Sequence, residues 1–365
     1  MTRDTIRPRL IRGAAAALAF ALSLAPAAAR AQGPADDFER GKQLLARGDV
    51  QGAAEALERA SEQRKTDADV WYEYGLALAR AQKQKEARKA FERAVALRDS
   101  APARTGLAFT QFLLGKTRDA EREAGRALAL DPGHAQAHYV MAAVHFRNER
   151  MEETVQEAEQ ALRLDPDFAA AARLGGEALL NLFNGEFERA AERYPVEKSA
   201  SGEVIFATIE KREVLVASAK GRLRVAAERL RRLADSPAAG TEKENLSELA
   251  ATLEFYGTPQ NRTEPPPAYK QSEVSTRAVI HAKPEPGFTT NARGNDTGGV
   301  VRLRAVLAAD GRVRHISVVK GQPDGLTERA IEAARQIRFT PATLDGRRVS
   351  QYVVLEYHFV IGGLP

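Results

Sequence analysis

From Pro34 the chain repeats itself with a period of about 34 residues, in units beginning at Pro34, Ala68, Ala101 and Ala135 and a fifth at Ala169 that loses the pattern. A fixed period of this length builds one supersecondary unit over and over, because a single unit cannot bury its apolar face without stacking on the next. Each unit predicts one helical hairpin. Small residues recur where its two helices meet, with Gly41 and Gly75 in first helices and Ala53, Ala87 and Ala120 early in second ones. Leu57, Phe91 and Ala124 follow, and Ala60, Ala94, Ala127 and Ala161 close the second helices. Asp131-Pro132 and Asp165-Pro166 then stop them, since proline cannot continue the hydrogen-bond ladder.

The second unit holds Trp71, Tyr74, Gly75, Ala87, Phe91 and Ala94 in phase. Over 34–168 this pattern resembles the tetratricopeptide repeat family, with departures in the missing proline of the first two units and in Thr154 where alanine is usual. From 169 to 257 the helical pattern weakens into degenerate repeats and a cap. Ala207–Leu233 reads as one degenerate unit, with Gly221, Ala226, Leu230 and Leu233 at the same relative positions, and Leu246–Phe255 as a capping helix. Stacked hairpins make a concave groove lined by first helices, which suits protein recognition. The candidate groove residues are Phe38, Tyr72, Arg80, Phe109, Tyr139 and Arg147. The alternative for such an array is a spacer, and its ligand is not legible. His138 and His145 stand where Trp71 and Leu78 stand two units earlier and read as packing substitutes. His134 is four residues before His138, but zinc needs a third ligand and a shaped site, so no metal is expected.

Thr258–Tyr269 contains Pro259, Pro265, Pro266 and Pro267 and predicts a stiff joint within a linker spanning 258–272. The expectation is that 34–257 and 270–365 fold independently. Beyond the joint the period changes to two. Val301, Leu303, Ala305 and Leu307 share one strand face, with Arg302 and Arg304 on the other. Asp310-Gly311 marks a hairpin turn. In the returning strand Val313 is out of phase with Ile316 and Val318, which predicts a bulge. A helix over about Leu326–Arg338 and a last strand follow, the latter with Val353, Leu355, Tyr357, Phe359 and Ile361 facing one way and Tyr352, Glu356 and His358 the other. The fold class is therefore multidomain: an all-α helical-repeat solenoid, then a small α+β domain over 273–365.

Lys283 to Phe288, Gly299 to Leu303, Asp310 to Val313, Leu326 with Ala330, Ala333 and Ala334, Ile337 to Phe339 with Pro341, and Asp345-Gly346 with Val349 together resemble the TonB C-terminal domain over about 276–362. One departure is Glu285-Pro286 where a Tyr-Pro pair is frequent. The resemblance implies a three-stranded antiparallel sheet with helices on one face, and a partner gripped by adding an extended receptor segment to the sheet edge. An edge strand leaves backbone donors and acceptors open to such pairing. The candidate edge is Gln351, Tyr352, Val353, Val354, Leu355, Glu356, Tyr357, His358 and Phe359, running on to Ile361, with Arg302, Arg304 and Arg314 as nearby positive charge. A proline at Gln351 or Val353 is expected to damage capture, provided that the chosen amide faces the peptide and not the neighbouring strand, and side-chain changes at Tyr352 or His358 to do less.

Four arginines, the apolar run Gly13–Ala25, Pro26 and Ala29-Arg30-Ala31 predict a signal peptide over 1–31, and hence a periplasmic protein. That segment carries +4 of the net +5, so overall charge gives no support to nucleic-acid binding. Membrane association is expected only if the segment is retained. There are no cysteines, and no phosphate loop, HExxH, GxSxG or paired-carboxylate motif, so neither an enzyme nor a cofactor is expected. The leading reading is a periplasmic adaptor whose repeats bind one protein and whose last domain binds an outer-membrane receptor segment. The alternative is a membrane-anchored transducer with the array as spacer. Against it, the resemblance implies an anchor histidine and a long proline-rich spacer in transducing members, whereas residues 13–29 hold no histidine and the proline joint is short.

Overall fold

A computed structural model describes residues 36–194, 207–259, 268–294, 297–322 and 324–360. The expected signal segment, Pro265 to Pro267 of the joint, and Ile361 lie outside these residues. The chain divides into two compact units, with the division between Leu174 and Gly175.

The first unit is a run of paired helices: α1 (Asp37–Ala46) with α2 (Val50–Gln63), α3 (Ala68–Arg80) with α4 (Gln84–Leu97), α5 (Ala101–Leu113) with α6 (Thr117–Leu130), and α7 (Ala135–Arg147) with α8 (Met151–Leu164). The 34-residue period is visible at the atomic level. A Cβ on Gly41 would overlap the Leu57 side chain, and one on Gly75 would lie 2.8 Å from the Phe91 ring. Glycine is therefore needed for the close approach of the helices in the first two hairpins. The same Phe91 ring also blocks a Cβ on Gly106 of the following hairpin, so one side chain seals two interfaces. The Asp-Pro stops work as expected: the Asp131 and Asp165 carboxylates accept the N–H groups of Gly133 and Asp167, at 2.9 and 3.1 Å. These bonds stabilise a turn that competes with another helical residue.

The second unit starts within α9 (Ala169–Arg193) and continues through α10 (Ala207–Asp235), a 3₁₀ turn (Pro237–Glu242) and α11 (Lys243–Gly257). The hairpin expected over Ala207–Leu233 is instead one helix of 29 residues. Gly221, taken as a packing glycine, has open space where a Cβ would sit, and no turn residue interrupts the helix. Fully buried Leu223, Leu230, Leu246 and Leu253 form the apolar faces of α10 and α11.

After the joint come β1 (Val279–Ala282), α12 (Thr290–Gly294), β2 (Gly299–Leu307), β3 (Val313–Lys320), α13 (Leu326–Arg335), β4 (Arg338–Thr340), β5 (Ala342–Leu344), β6 (Arg347–Val349) and β7 (Gln351–Phe359). The main sheet is antiparallel in the order β3-β2-β7, and β1-β4 and β5-β6 form two short ribbons. Val301, Leu303, Ala305, Leu307, Leu355, Tyr357 and Phe359 bury one face of the sheet against Leu326, Ala330 and Ala334 of α13. The expected bulge is present. Pairing slips between Arg304↔Ser317 and Val306↔Arg314, and His315 takes a left-handed φ of 50° in the slip.

Helices cover both faces of this sheet, where the family resemblance implied helices on one. Arg304, Ser317, His315 and Tyr352 of the second face meet Asn184, Phe187, Phe255 and Tyr256 of α9 and α11. Arg335 of α13 also pairs with Glu248 at 2.7 Å. The compact unit thus runs back across the proline joint to Gly175. The cause is that β2 and β7 each carry bulky side chains on their second face, which half-covered sheets leave in water.

Candidate functional site

Strand β7 lies at the edge of the main sheet, with β2 on its inner side. The Tyr352 N–H donates to the Tyr269 carbonyl at 2.8 Å, and the Ser350 carbonyl accepts from the Tyr269 N–H at 2.9 Å. This short parallel bridge fixes which backbone groups face outward, because they alternate along a strand. The outward N–H groups are those of Tyr352, Val354, Glu356 and His358, while Gln351, Val353, Leu355, Tyr357 and Phe359 turn theirs towards β2. The two positions expected to carry the proline test, Gln351 and Val353, therefore serve the β2 ladder. Past Tyr352 the outward N–H groups have no acceptor among the described residues. The Glu356 carbonyl accepts the Lys283 ammonium at 2.5 Å, and that ammonium sits 4.4 Å from the centre of the Tyr357 ring. A lysine at an open edge is a common guard against unwanted pairing. Burial pushes the Tyr357 hydroxyl up to about 12.

The side chains of the expected edge fall into three groups. Leu355, Tyr357 and Phe359 are core, and Gln351 is fully buried, its Oε1 accepting the Ala278 N–H at 2.9 Å. Val353 is half-buried against the same core. Val354, 56% exposed, and His358 face solvent, with Glu356 beside them paired to Arg302 at 2.7 Å. Tyr352 departs from expectation: its ring is 6.0 Å from Tyr256, 5.9 Å from Phe187 and 6.4 Å from Phe255, and burial raises its pKa. Of the three arginines expected as nearby positive charge, Arg304 is buried, bonded to Asn184 at 2.7 Å and to Glu188. Arg302 is held by Glu356, and Arg314 by Asp310 at 2.5 Å. Periodicity alone made Arg304 a solvent-facing residue, because the α9 residue it bonds, Asn184, lies 120 positions earlier in the chain.

In the repeats, Phe109 and Tyr139 are 3% and 7% exposed and belong to the packing rather than to a groove. Tyr139 lies 5.1 Å from Phe168, ring to ring. Phe38, Tyr72 and Arg80 are half-buried, and Arg147 is exposed. Phe38 carries the Lys42 ammonium 5.0 Å from its ring, and Arg147 stacks 3.7 Å over Phe112 while donating to the Phe112 carbonyl at 2.6 Å. Glu73, which the sequence did not single out, joins Tyr72 and Arg80: burial, offset by Lys42 and Arg80, raises its pKa. Its signal was weak, a polar residue on the partly open side of a first helix.

The histidines of the fourth hairpin have local roles. His138 bridges Glu157 at 2.6 Å and the Pro132 carbonyl at 3.0 Å. His145 is buried, with no partner at Nδ1 among the described residues, and burial holds its pKa below 6.5, assisted by Arg150 and opposed by Glu157, Glu121 and Glu153. An unfolded chain then binds more protons than the folded one below about pH 6.5, so this stability is present above that pH and is lost as pH falls through it. The expected result is a larger drop in melting temperature between pH 7.5 and pH 5 for the parent than for His145→Leu. Equal drops would remove His145 from the acid sensitivity. Among the described residues no group of histidines and carboxylates could hold a metal ion, and no helix is long and apolar enough to cross a membrane.

A helical-repeat array and a small α+β module with an open sheet edge define a class of interaction protein. The tetratricopeptide repeat family matches residues 38–102 and 112–167, and the Gram-negative bacterial TonB protein C-terminal family matches 284–361. The chain therefore carries a tetratricopeptide repeat region over 38–167 and a C-terminal TonB domain over 284–361, and both families are non-catalytic. No curated protein matches the chain. Among solved structures, MamA 41-end from Desulfovibrio magneticus RS-1 is 20% identical, covering 52% of this chain and 98% of that one with a TM-score of 0.37. YrrB, a TPR protein with an unusual peptide-binding site, is 17% identical over 49% of this chain and 84% of that one, with a TM-score of 0.34. The second TPR domain of human RPAP3, solved with an HSP70 peptide, is 24% identical over 30% and 92%, with a TM-score of 0.29.

Proposed function

We propose that this protein is an adaptor of the cell envelope, exported to the periplasm, whose repeats bind one protein partner and whose C-terminal module takes an extended segment of an outer-membrane receptor by strand addition on β7. The observation that carries this reading is the edge itself: β7 presents the N–H groups of Val354, Glu356 and His358 outward, beside solvent-facing Val354 and His358 side chains. Main-chain bonds supply affinity in this mode of recognition and ask little of sequence. The receptor-binding unit is taken from Gly175 onward in this reading.

The test is a pair of proline variants with opposite expected behaviour. Val354→Pro removes one outward N–H and is tolerated at an edge, so the full chain should keep its circular dichroism and bind receptor N-terminal peptides about tenfold more weakly or worse. Val353→Pro removes a bond to β2 opposite Ala305 and should unfold the module. A folded Val354→Pro chain that binds such peptides as well as the parent would falsify docking at this edge.

A further inference from the structure

We infer that the segment Ala268–Val274 is an intramolecular strap that occupies the first position of the β7 edge and so fixes where an added partner strand must stop; this rests on the strand-addition reading above. Tyr269 already makes, with Ser350 and Tyr352, the two main-chain bonds that a parallel partner residue would make there. A partner that displaces the Lys283 ammonium from the Glu356 carbonyl can therefore pair along Val354 to Phe359, and cannot pair with the Tyr352 N–H unless the strap leaves.

Several contacts hold the strap in place. The Tyr269 ring is buried with Val274 and Ala342. The Glu273 carboxylate is buried and splits its two oxygens: Oε2 accepts the Lys270 N–H at 2.8 Å and closes the turn, while Oε1 accepts Arg212 Nη1 at 2.9 Å. Arg212, itself buried on α10, is aimed by a bond from its Nε to the Tyr194 carbonyl at 2.6 Å. The Lys270 ammonium lies 3.6 Å from Glu188 and 5.1 Å from the centre of the Phe187 ring on α9. Downstream, Ser275 and Thr276 donate to Thr343, so the strap is tied at its other end too. Arg212 and Glu273 are thus positioning residues for the edge. They touch no partner, yet they set the length and register of what can dock, and they make the helices α9 and α10 part of the binding module.

Amide exchange on the full chain tests this in two arms. In the free protein the Tyr352 amide should be protected, and Glu273→Gln, which leaves Arg212 without its counter-charge, should speed its exchange on the order of a hundredfold while the β2 and α13 amides hold. Tyr269→Ala, which removes the buried anchor but keeps the ion pair, should act in the same direction if the first variant fails to fold. With synthetic ten-residue peptides from receptor N-termini, the parent should gain protection at Val354, Glu356 and His358 only, and the strap variants at Tyr352 as well. Unchanged Tyr352 exchange in both variants overturns the strap. Partner contacts reaching Tyr352 in the parent, seen as a cross-link from peptide to that residue with Tyr269 displaced, overturn its limiting role. Peptides that protect none of these amides overturn strand addition and the register role together, and the free-protein arm then still decides whether the strap holds.

Discussion

Tyr352→Ala should destabilise the C-terminal unit by about 3 kcal/mol, the scale for removing a packed aromatic. The ring stacks on Tyr256 at an interplanar angle of 22° and fills the space between Phe187, Phe255 and the Arg304 guanidinium, whose carbon lies 5.7 Å from its centre. Alanine would leave that cavity next to a buried charge, and the helices α9 and α11 would lose their main apolar hold on the sheet. Tyr352→Phe keeps the ring and should cost under about 1 kcal/mol, and exposed His358→Ala should stay within about 0.5 kcal/mol. The measurement is urea unfolding followed by far-UV circular dichroism and by tryptophan fluorescence. Trp71, the sole tryptophan, sits in the repeats, so a transition seen by dichroism and not by fluorescence belongs to the second unit. An unmoved midpoint for Tyr352→Ala would mean that the second face of the sheet is not held by the helices.

The contrast between Tyr352 and His358 also shows how far sequence reasoning reached. Period-two alternation correctly set both on the face away from α13, and the phase slip between Val313 and Ile316 announced a bulge, which the structure puts at His315. Alternation is a local property and carries no information about what lies over the face. The cover comes from Asn184, Phe187, Glu188, Phe255 and Tyr256, residues that a weakening repeat pattern had assigned to the end of the array. Which backbone amides point outward was equally hidden, since it depends on the register between β2 and β7 and on the single bridge from Tyr269. The repeat region was more legible because its rule is repeated in sequence. Even there, four equivalent turns need a left-handed residue, and the chain supplies Gly48 and Gly115 in two of them but Gln82 and Glu149 in the others. A residue with a Cβ tolerates that conformation at modest cost, so composition alone does not reveal the turn.

Phe91→Ala is expected to have the largest effect in the repeats, about 3–5 kcal/mol, because its ring is 1% exposed and serves two interfaces. Within its own hairpin it lies over Gly75, and across to the next it lies over Gly106, where no larger residue fits. Two glycines have therefore been shaped around one phenylalanine, and alanine at 91 would leave both unfilled while neither helix could close the gap without moving its neighbour. Stacked repeats gain much of their stability from such nearest-neighbour contacts, so losing one interface should uncouple the hairpins before it from those after. Trp71 packs in the same cluster as Phe91, so its fluorescence should shift to the red at urea concentrations where the parent is still folded. Gly106→Ala gives the complementary test from the other side of the contact, since its added methyl must displace the ring. If Phe91→Ala broadened nothing and left the tryptophan transition in place, hairpins two and three would have to be joined by contacts other than this ring.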